Sequence, residues 1–440
     1  MHVPRRTVIY ASVVAFLAWA FAVYDYILFG TLLPEISAEF GWTPATGTAV
    51  VTIVAIGTFL VAILVGPMID YFGRKRSLII CTIGAGLSSG LTALTPTGLT
   101  TLYLTIVRSI AGLGYSEQAV NTTYLNELYG NQIKRRGLVY SLVQGGWPIG
   151  VLLASGVSAL LIPLIGWRGA FLFATVPSIV VIFLAMKLRE SPKYEAMTRV
   201  RKLERQGRHG EALTFGRDYG IDPTNTGEST LRQIFEPDIR RHTIFLSLAF
   251  LANWIGIQVF AVLGTTVLTE GKGVEFSSAL IVLVISNAAA YIGYLTHGFF
   301  GDLIGRRLTI AGGWTISGIA YTLMLFGPDS GAVVLTLYTI GLFFIIGPYA
   351  ALLFFMGESF PTRVRGTGAS FVNAMGPLGA IAGSGLLSAT LALGASMTTA
   401  AFAVGAIAVL VSGVLMLGTR NVTDPNQAEA ISGGAGPRVR

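Results

Sequence analysis

The chain has 440 residues, of which 53% are hydrophobic and only 12% charged, and its mean hydropathy is +0.68. Soluble globular proteins carry about 25% charged residues, so this composition cannot supply a water-exposed surface around a core of ordinary size. The net charge of +8 would suit a nucleic-acid binder, but nearly all Lys and Arg fall in loops on one side of the expected spans, the bias that orients a membrane protein.

Crossing a hydrocarbon layer of roughly 30 Å takes about 20 apolar residues in helix, and runs of that length recur along the chain. After a short basic stretch, the run from Val8 to Leu33 is too long for a signal-peptide core and is expected to stay as the first span. Five more are expected near 46–70, 77–95, 99–124, 137–162 and 168–188. The segment 189–240 is polar, has no spanning-length run and reads as a connector on the side of the termini, with a surface helix over 191–208. Six further spans follow near 241–268, 277–301, 307–327, 331–355, 366–393 and 396–418. The polar tail 421–440 is expected to be disordered. Cys81, alone of its kind, lies in an apolar run, so a buried thiol and no intrachain disulfide are expected. No metal-ligand spacing and no nucleotide-binding loop is present, so neither metal nor cofactor is expected. The ten-residue alternation of a membrane β-barrel is also missing. The fold class predicted is an all-α membrane protein of twelve helices, in halves 1–188 and 241–420.

Two stretches repeat. GPMIDYFGRKR (Gly66–Arg76) returns as GFFGDLIGRR (Gly298–Arg307), 232 residues later. Glu127 with Arg136-Gly137 returns as Glu358 with Arg365-Gly366, the second Glu 231 residues after the first. A fixed offset marks a duplicated architecture, as in carriers whose site lies between two repeats. These loops resemble the signature of the major facilitator superfamily, as do ESPKY (Glu190–Tyr194) after the sixth span and ESFPTRVRG (Glu358–Gly366) after the tenth. The resemblance covers the whole chain. It implies a monomeric secondary carrier in the plasma (inner) membrane, with both termini cytoplasmic and two bundles related by a pseudo-two-fold axis that work by alternating access. Tyr24-Asp25-Tyr26 with LFGTLLPEI, and RSIAGLGYSEQ (Arg108–Gln118), resemble proton symporters for organic acids in the sialate and monocarboxylate, metabolite and aromatic-acid branches. Aromatic-acid carriers commonly have D-G-x-D in helix 1; here Ala22 replaces the first acid. Of the Gly-Glu-aromatic triplet of the other branches, only Glu117 is kept.

A charge at membrane depth costs at least about 2.5–3.5 kcal/mol, so Asp25, Arg108 and Glu117 each need a reason. At about 1.5 Å per residue, Asp25 and Arg108 fall at one height, and the resemblance implies that their helices both line the central cavity. The pair is then either a permanent brace or a switch. As a switch, protonated Asp25 releases Arg108, whose guanidinium takes a substrate carboxylate bidentately. Asp25 would carry the proton and Arg108 would anchor the anion. Glu117 would serve as a relay or as part of the gate.

Candidate pocket residues are Tyr24, Tyr115, Gln144 and Trp147 in the first half, and Trp254, Gln258, Asn287, Tyr291 and Tyr338 in the second. Trp254 and Gln258, like Asn287 and Tyr291, are four apart and share a helix face; interhelical packing is the alternative use of all of them. Candidate gate pairs are Asp70 with Arg74, Glu127 with Arg136, Asp302 with Arg306 and Glu358 with Arg365, which would form and break as the halves rock. Static setting of topology is their alternative role. The predicted function is proton-coupled symport of a small organic anion. A proton-driven exporter of metabolites or drugs and a non-transporting ligand sensor are the competing readings. No grouping of Ser, His and acid suggests an enzyme.

Overall fold

Inside hydrocarbon every backbone N–H and C=O must be satisfied within its own segment or a closed barrel, and the apolar runs fold accordingly. The computed structural model describes residues 4–129, 142–218, 230–360 and 365–421, and all its regular secondary structure is helical. The first half contains α1 (Arg5–Thr31), short α2 (Leu33–Phe40), α3 (Pro44–Phe72) and α4 (Arg74–Ala93). A fourth crossing follows in three pieces, α5 (Thr100–Ile110), α6 (Gly112–Tyr115) and α7 (Glu117–Tyr129). The stretch α8 (Gly146–Met186) holds two crossings, because Gly166 leaves helical geometry at φ 64° and turns the chain back. The polar helices α9 (Pro192–Arg205), α10 (His209–Asp218) and α11 (Thr230–Gln233) connect the halves.

The second half begins with α12 (Arg240–Ile257), continued by π-helical Gln258–Val262, the short α13 (Gly264–Thr266) and π-helical Val267–Gly271. Then come α14 (Phe276–Ile304), α15 (Arg306–Phe326), α16 (Gly331–Ile346), α17 (Tyr349–Glu358) and α18 (Arg365–Ala392). The last crossing runs from α19 (Met397–Ala400) through π-helical Ala401–Ala406 to α20 (Ile407–Met416). Among the described residues, nine stretches are long and apolar enough to span. One of these holds two crossings. The Ser- and Thr-bearing α4 and the broken fourth crossing complete twelve. Leu64, Leu160, Phe183 and Phe299 point outward and stay exposed, as a lipid-facing surface requires.

The repeated signature has a backbone cause. Gly73 and Gly305 join α3 to α4 and α14 to α15 at φ 93° and 91°, a region costly for any residue with a Cβ. Just past Gly73, the Glu190 carboxylate accepts from the amides of Arg74 (3.0 Å) and Lys75 (3.2 Å), placing an anion at the N-terminus of α4 where free N–H groups and the helix dipole favour it. At the opposite end, Glu39 takes the Trp167 indole N–H at 2.6 Å and pairs with Arg168. Partial burial raises the Glu39 carboxyl, but the bonds from Arg168 and Trp167 outweigh it and hold it below its usual range. A lowered folded-state value stabilises above the unfolded pKa of about 4.3 and is lost as the pH falls through the folded one. Thermal unfolding across that acid range is expected to depend less on pH in Arg168→Ala than in the parent; an unchanged profile would remove this pair from the acid response.

The halves touch at the end away from the termini. The Thr265 hydroxyl donates to the carbonyls of Gly30 (3.3 Å) and Thr31 (2.9 Å), and Ser388 donates to the Ala45 carbonyl at 2.9 Å. A Cβ at Gly30 would strike the Val262 carbonyl, so this closure depends on a residue without one.

Candidate functional site

The two side chains that the depth argument set at one level do meet. Arg108 on α5 donates to Asp25 on α1 through Nη1 to Oδ1 at 3.1 Å and through Nη2 to the backbone carbonyl at 2.8 Å and to Oδ2 at 3.4 Å. Ser89 on α4 donates to the same Oδ1. The guanidinium lies between the rings of Phe29 and Phe171, 5.6 and 5.2 Å from their centroids. Arg108 is 2% and Asp25 4% exposed. Charge-assisted bonds and two ring faces thus satisfy a guanidinium that would be prohibitively costly alone, although Nε keeps no partner.

The pair is sealed within the first half, among crossings one, three, four and six, and neither residue lines the central cavity. Arg108 therefore presents no open face to a ligand in this conformation. Glu117, at the start of α7, is 1% exposed; its described contact is the Asn121 amide at 3.4 Å, and no cation pairs with it among the described residues.

The cavity lies between the halves, with about 510 Å³ of empty space that includes open solvent. Trp19, Trp147 and Trp254, with Phe250, Tyr294 and Tyr349, give it aromatic walls. Gln118, Gln144 and Asn373 are its polar residues, and Ile257, Ile346 and Leu353 complete it. Gln118 donates to Gln144 at 3.1 Å. Trp254 bridges the halves, with ring centroids 5.6 Å from Trp147 and 6.2 Å from Tyr115. Tyr115 also packs on Tyr26 at 4.8 Å, a ring contact leading from the neighbour of Asp25 to the cavity wall.

Of the predicted pocket residues, Gln144, Trp147 and Trp254 line this space and Tyr115 packs directly on it. The rest go elsewhere. Tyr24 is buried in the core, and Tyr338 donates to the Phe260 carbonyl. Asn287 donates to the Leu283 carbonyl of its own helix at 2.8 Å, and Tyr291 is only half-buried. Trp254 and Gln258 do share a face, onto Gly379 and Gly383 of α18, but only the longer indole reaches the cavity. Sequence reasoning missed the aromatic Trp19, Phe250, Tyr294 and Tyr349, the amides Gln118 and Asn373, and the three aliphatic residues of the lining. For Trp19 a signal existed: it stands seven residues, two helical turns, before Tyr26 and so on the same side of α1.

The gate candidates are only partly described. Arg136 lies outside the described residues, as do the side chains of Asp70, Glu358 and Arg365. Arg74 binds Glu127 through two bonds, Nε to Oε2 at 2.9 Å and Nη2 to Oε1 at 2.7 Å, and Ser191 donates to the same carboxylate. Glu127, expected opposite Arg136, is thus tied to the signature loop. Arg306 reaches Asp302 at 3.4 Å in a more exposed version of the repeat.

Two bundles of membrane helices around an aromatic cavity, with charge at membrane depth held in an internal ion pair, follow the plan of secondary transporters. The chain belongs to the Major Facilitator Superfamily, whose match spans residues 14–296. It is 27% identical over 83% of its length to the niacin transporter NiaP of Acinetobacter baylyi, covering 83% of that protein. It is 28% identical over 94% of its length to a probable 4-methylmuconolactone transporter of Cupriavidus pinatubonensis, covering 91% of that protein, and 25% identical over 82% to the benzoate transport protein of A. baylyi, covering 78%. Among solved structures, a D-xylose-proton symporter superposes over 95% of this chain and 99% of its own, with TM-score 0.68 at 19% identity.

Proposed function

We propose that the protein is a proton-coupled symporter of a small carboxylic acid built on a ring or a short planar skeleton. The carrying observation is the Asp25–Arg108 pair, sealed at membrane depth and linked through the neighbouring Tyr26 to Tyr115 and then to Trp254 of the cavity wall. A buried ion pair of this kind is a poor source of net stability, whereas one acid that can be neutralised at such a depth is a natural proton carrier. The relatives named for niacin, benzoate and a muconolactone agree with six aromatic side chains in the wall.

In this mechanism Arg108 acts on Asp25 rather than on the cargo. With Asp25 charged, the bonds from Arg108 and Ser89 hold crossings one, three and four together. A proton on Asp25 weakens that tie, and the Tyr26–Tyr115–Trp254 contacts pass the change to the cavity. Glu117, further along the fourth crossing, is the relay toward the end that carries the termini, which we place in the cytoplasm. Bonds from Thr265 to Gly30 and Thr31 shut the opposite end in this state. The Arg74–Glu127 and Arg306–Asp302 pairs brace the side of the termini, where the halves part and rejoin during the cycle.

Purified protein in liposomes is expected to accumulate labelled benzoate or nicotinate above the external concentration when the outside is acidified, and to lose that accumulation when a protonophore collapses the gradient. Uptake indifferent to the gradient would refute proton coupling.

A further inference from the structure

We infer that Asn253, behind the cavity wall, is a positioning residue that fixes the ring of Tyr349 and so gives the cavity its preference for planar ligands. The inference rests on the proposal that this cavity is the substrate site.

Phe250, Trp254 and Ile257 line the cavity from one face of α12, at helical spacing. Asn253 stands in the same stripe, but it is 0% exposed and lies behind the lining. The hydroxyl of Tyr349 donates to its Oδ1 at 2.8 Å. Tyr349 opens α17, just past Gly347 and Pro348 where the tenth crossing is broken, and its side chain forms part of the wall. The rings of Phe250 and Trp314 flank it, with centroids 6.0 and 6.3 Å away and planes tilted by 54° and 52°. Apolar contact is non-directional, so these neighbours hold the ring's place better than its tilt. The hydrogen bond, which is directional, sets the tilt.

For packing alone an amide is a poor choice at this position. The Asn253 Nδ2 is buried and has no partner among the described residues, and a buried donor left unpaired costs stability. A Leu would fill similar space without that cost. What the amide adds is a fixed acceptor for the Tyr349 hydroxyl. A wall whose rings are set before the ligand arrives loses less freedom on binding, and a flat ring stacks on it better than a puckered one of equal size.

The test is calorimetric titration of the purified full chain with benzoate and with cyclohexanecarboxylate, which has as many carbons but a puckered ring, alongside chemical unfolding. The parent is expected to prefer benzoate about fivefold, the scale of one aromatic stacking contact. Asn253→Leu, Tyr349→Phe and the double variant are each expected to lose most of that preference, and by the same factor, because all three break one bond. The double variant leaves neither polar group unpaired, so it is expected to unfold no earlier than the parent. A parent that does not distinguish the two acids, or a preference that survives in the variants, would overturn the inference. So would single losses that multiply in the double variant, or a double variant whose preference is lost only together with its stability. If the parent binds neither acid, nor nicotinate, the reading of the cavity falls and takes this inference with it.

Discussion

Asp25→Asn is expected to abolish gradient-driven accumulation, by tenfold or more, while leaving exchange of preloaded substrate across the membrane within a few-fold of the parent. The reason lies in what the amide keeps and loses. Asn has nearly the same shape, so Ser89 and Arg108 still find an oxygen acceptor where Oδ1 now accepts from both. The backbone carbonyl of residue 25 still takes the second guanidinium nitrogen, now at 2.8 Å. What disappears is a site that gains and loses a proton. Exchange needs only the return of loaded carriers and no net proton movement, so it persists, whereas accumulation draws its free energy from the proton and stops. The two assays together separate a switch from a brace. Leaving Arg108 without its counter-charge lowers stability under either reading, so the split between the two modes decides: a permanent brace would weaken both in parallel, and normal pH-driven accumulation by the Asn protein would take Asp25 out of the mechanism.

Much of this could be read in the chain before any coordinates, for reasons that differ from residue to residue. The two-half plan was legible because Gly73 and Gly305 need the same positive φ and so keep the same motif in both repeats. Asp25 and Arg108 stood out because a charge at membrane depth is too costly to be incidental. Their isolation from the cavity was not legible, because depth along a helix says nothing of which way a side chain turns. The same gap explains the mixed result for the aromatic and amide residues. Tyr24, Asn287 and Tyr338 sit at mid-depth like Trp147 and Trp254, and only the packing of neighbouring helices decides which of them meets the cavity. On α1 Trp19 lines the cavity, Tyr26 two turns on packs on Tyr115 behind the wall, and Tyr24 falls between them on the core side. The break in the fourth crossing at Ser116 and the π-helical start at Gln258 lie next to the cavity residues Gln118 and Ile257, where no apolar periodicity reports them. Such departures from α-geometry often mark functional sites.

Arg108→Ala is expected to destabilise the purified protein by about 3–5 kcal/mol, the usual cost of removing one partner from a buried ion pair. The magnitude follows from how little else supports the Asp25 carboxylate. With the guanidinium gone, only the Ser89 hydroxyl remains among its described side-chain partners, on a residue 4% exposed to solvent. The space left between Phe29 and Phe171 adds a cavity cost, since both rings now pack on the guanidinium plane. Neutralising both partners should recover most of the loss. The double variant Asp25→Asn with Arg108→Gln leaves no charge behind and keeps polar groups within reach of one another, so its unfolding midpoint in a chaotrope series is expected to return most of the way to that of the parent. A recovery of at least 1 kcal/mol beyond additivity would show that the two residues are energetically coupled. If Arg108→Ala unfolds like the parent, Asp25 must be protonated, hydrated or otherwise paired in the variant, and the full cost of an unpaired buried carboxylate is not incurred. If the single variant is unstable but the double variant is stable and fails to accumulate substrate, the pair is needed for transport and not for the fold.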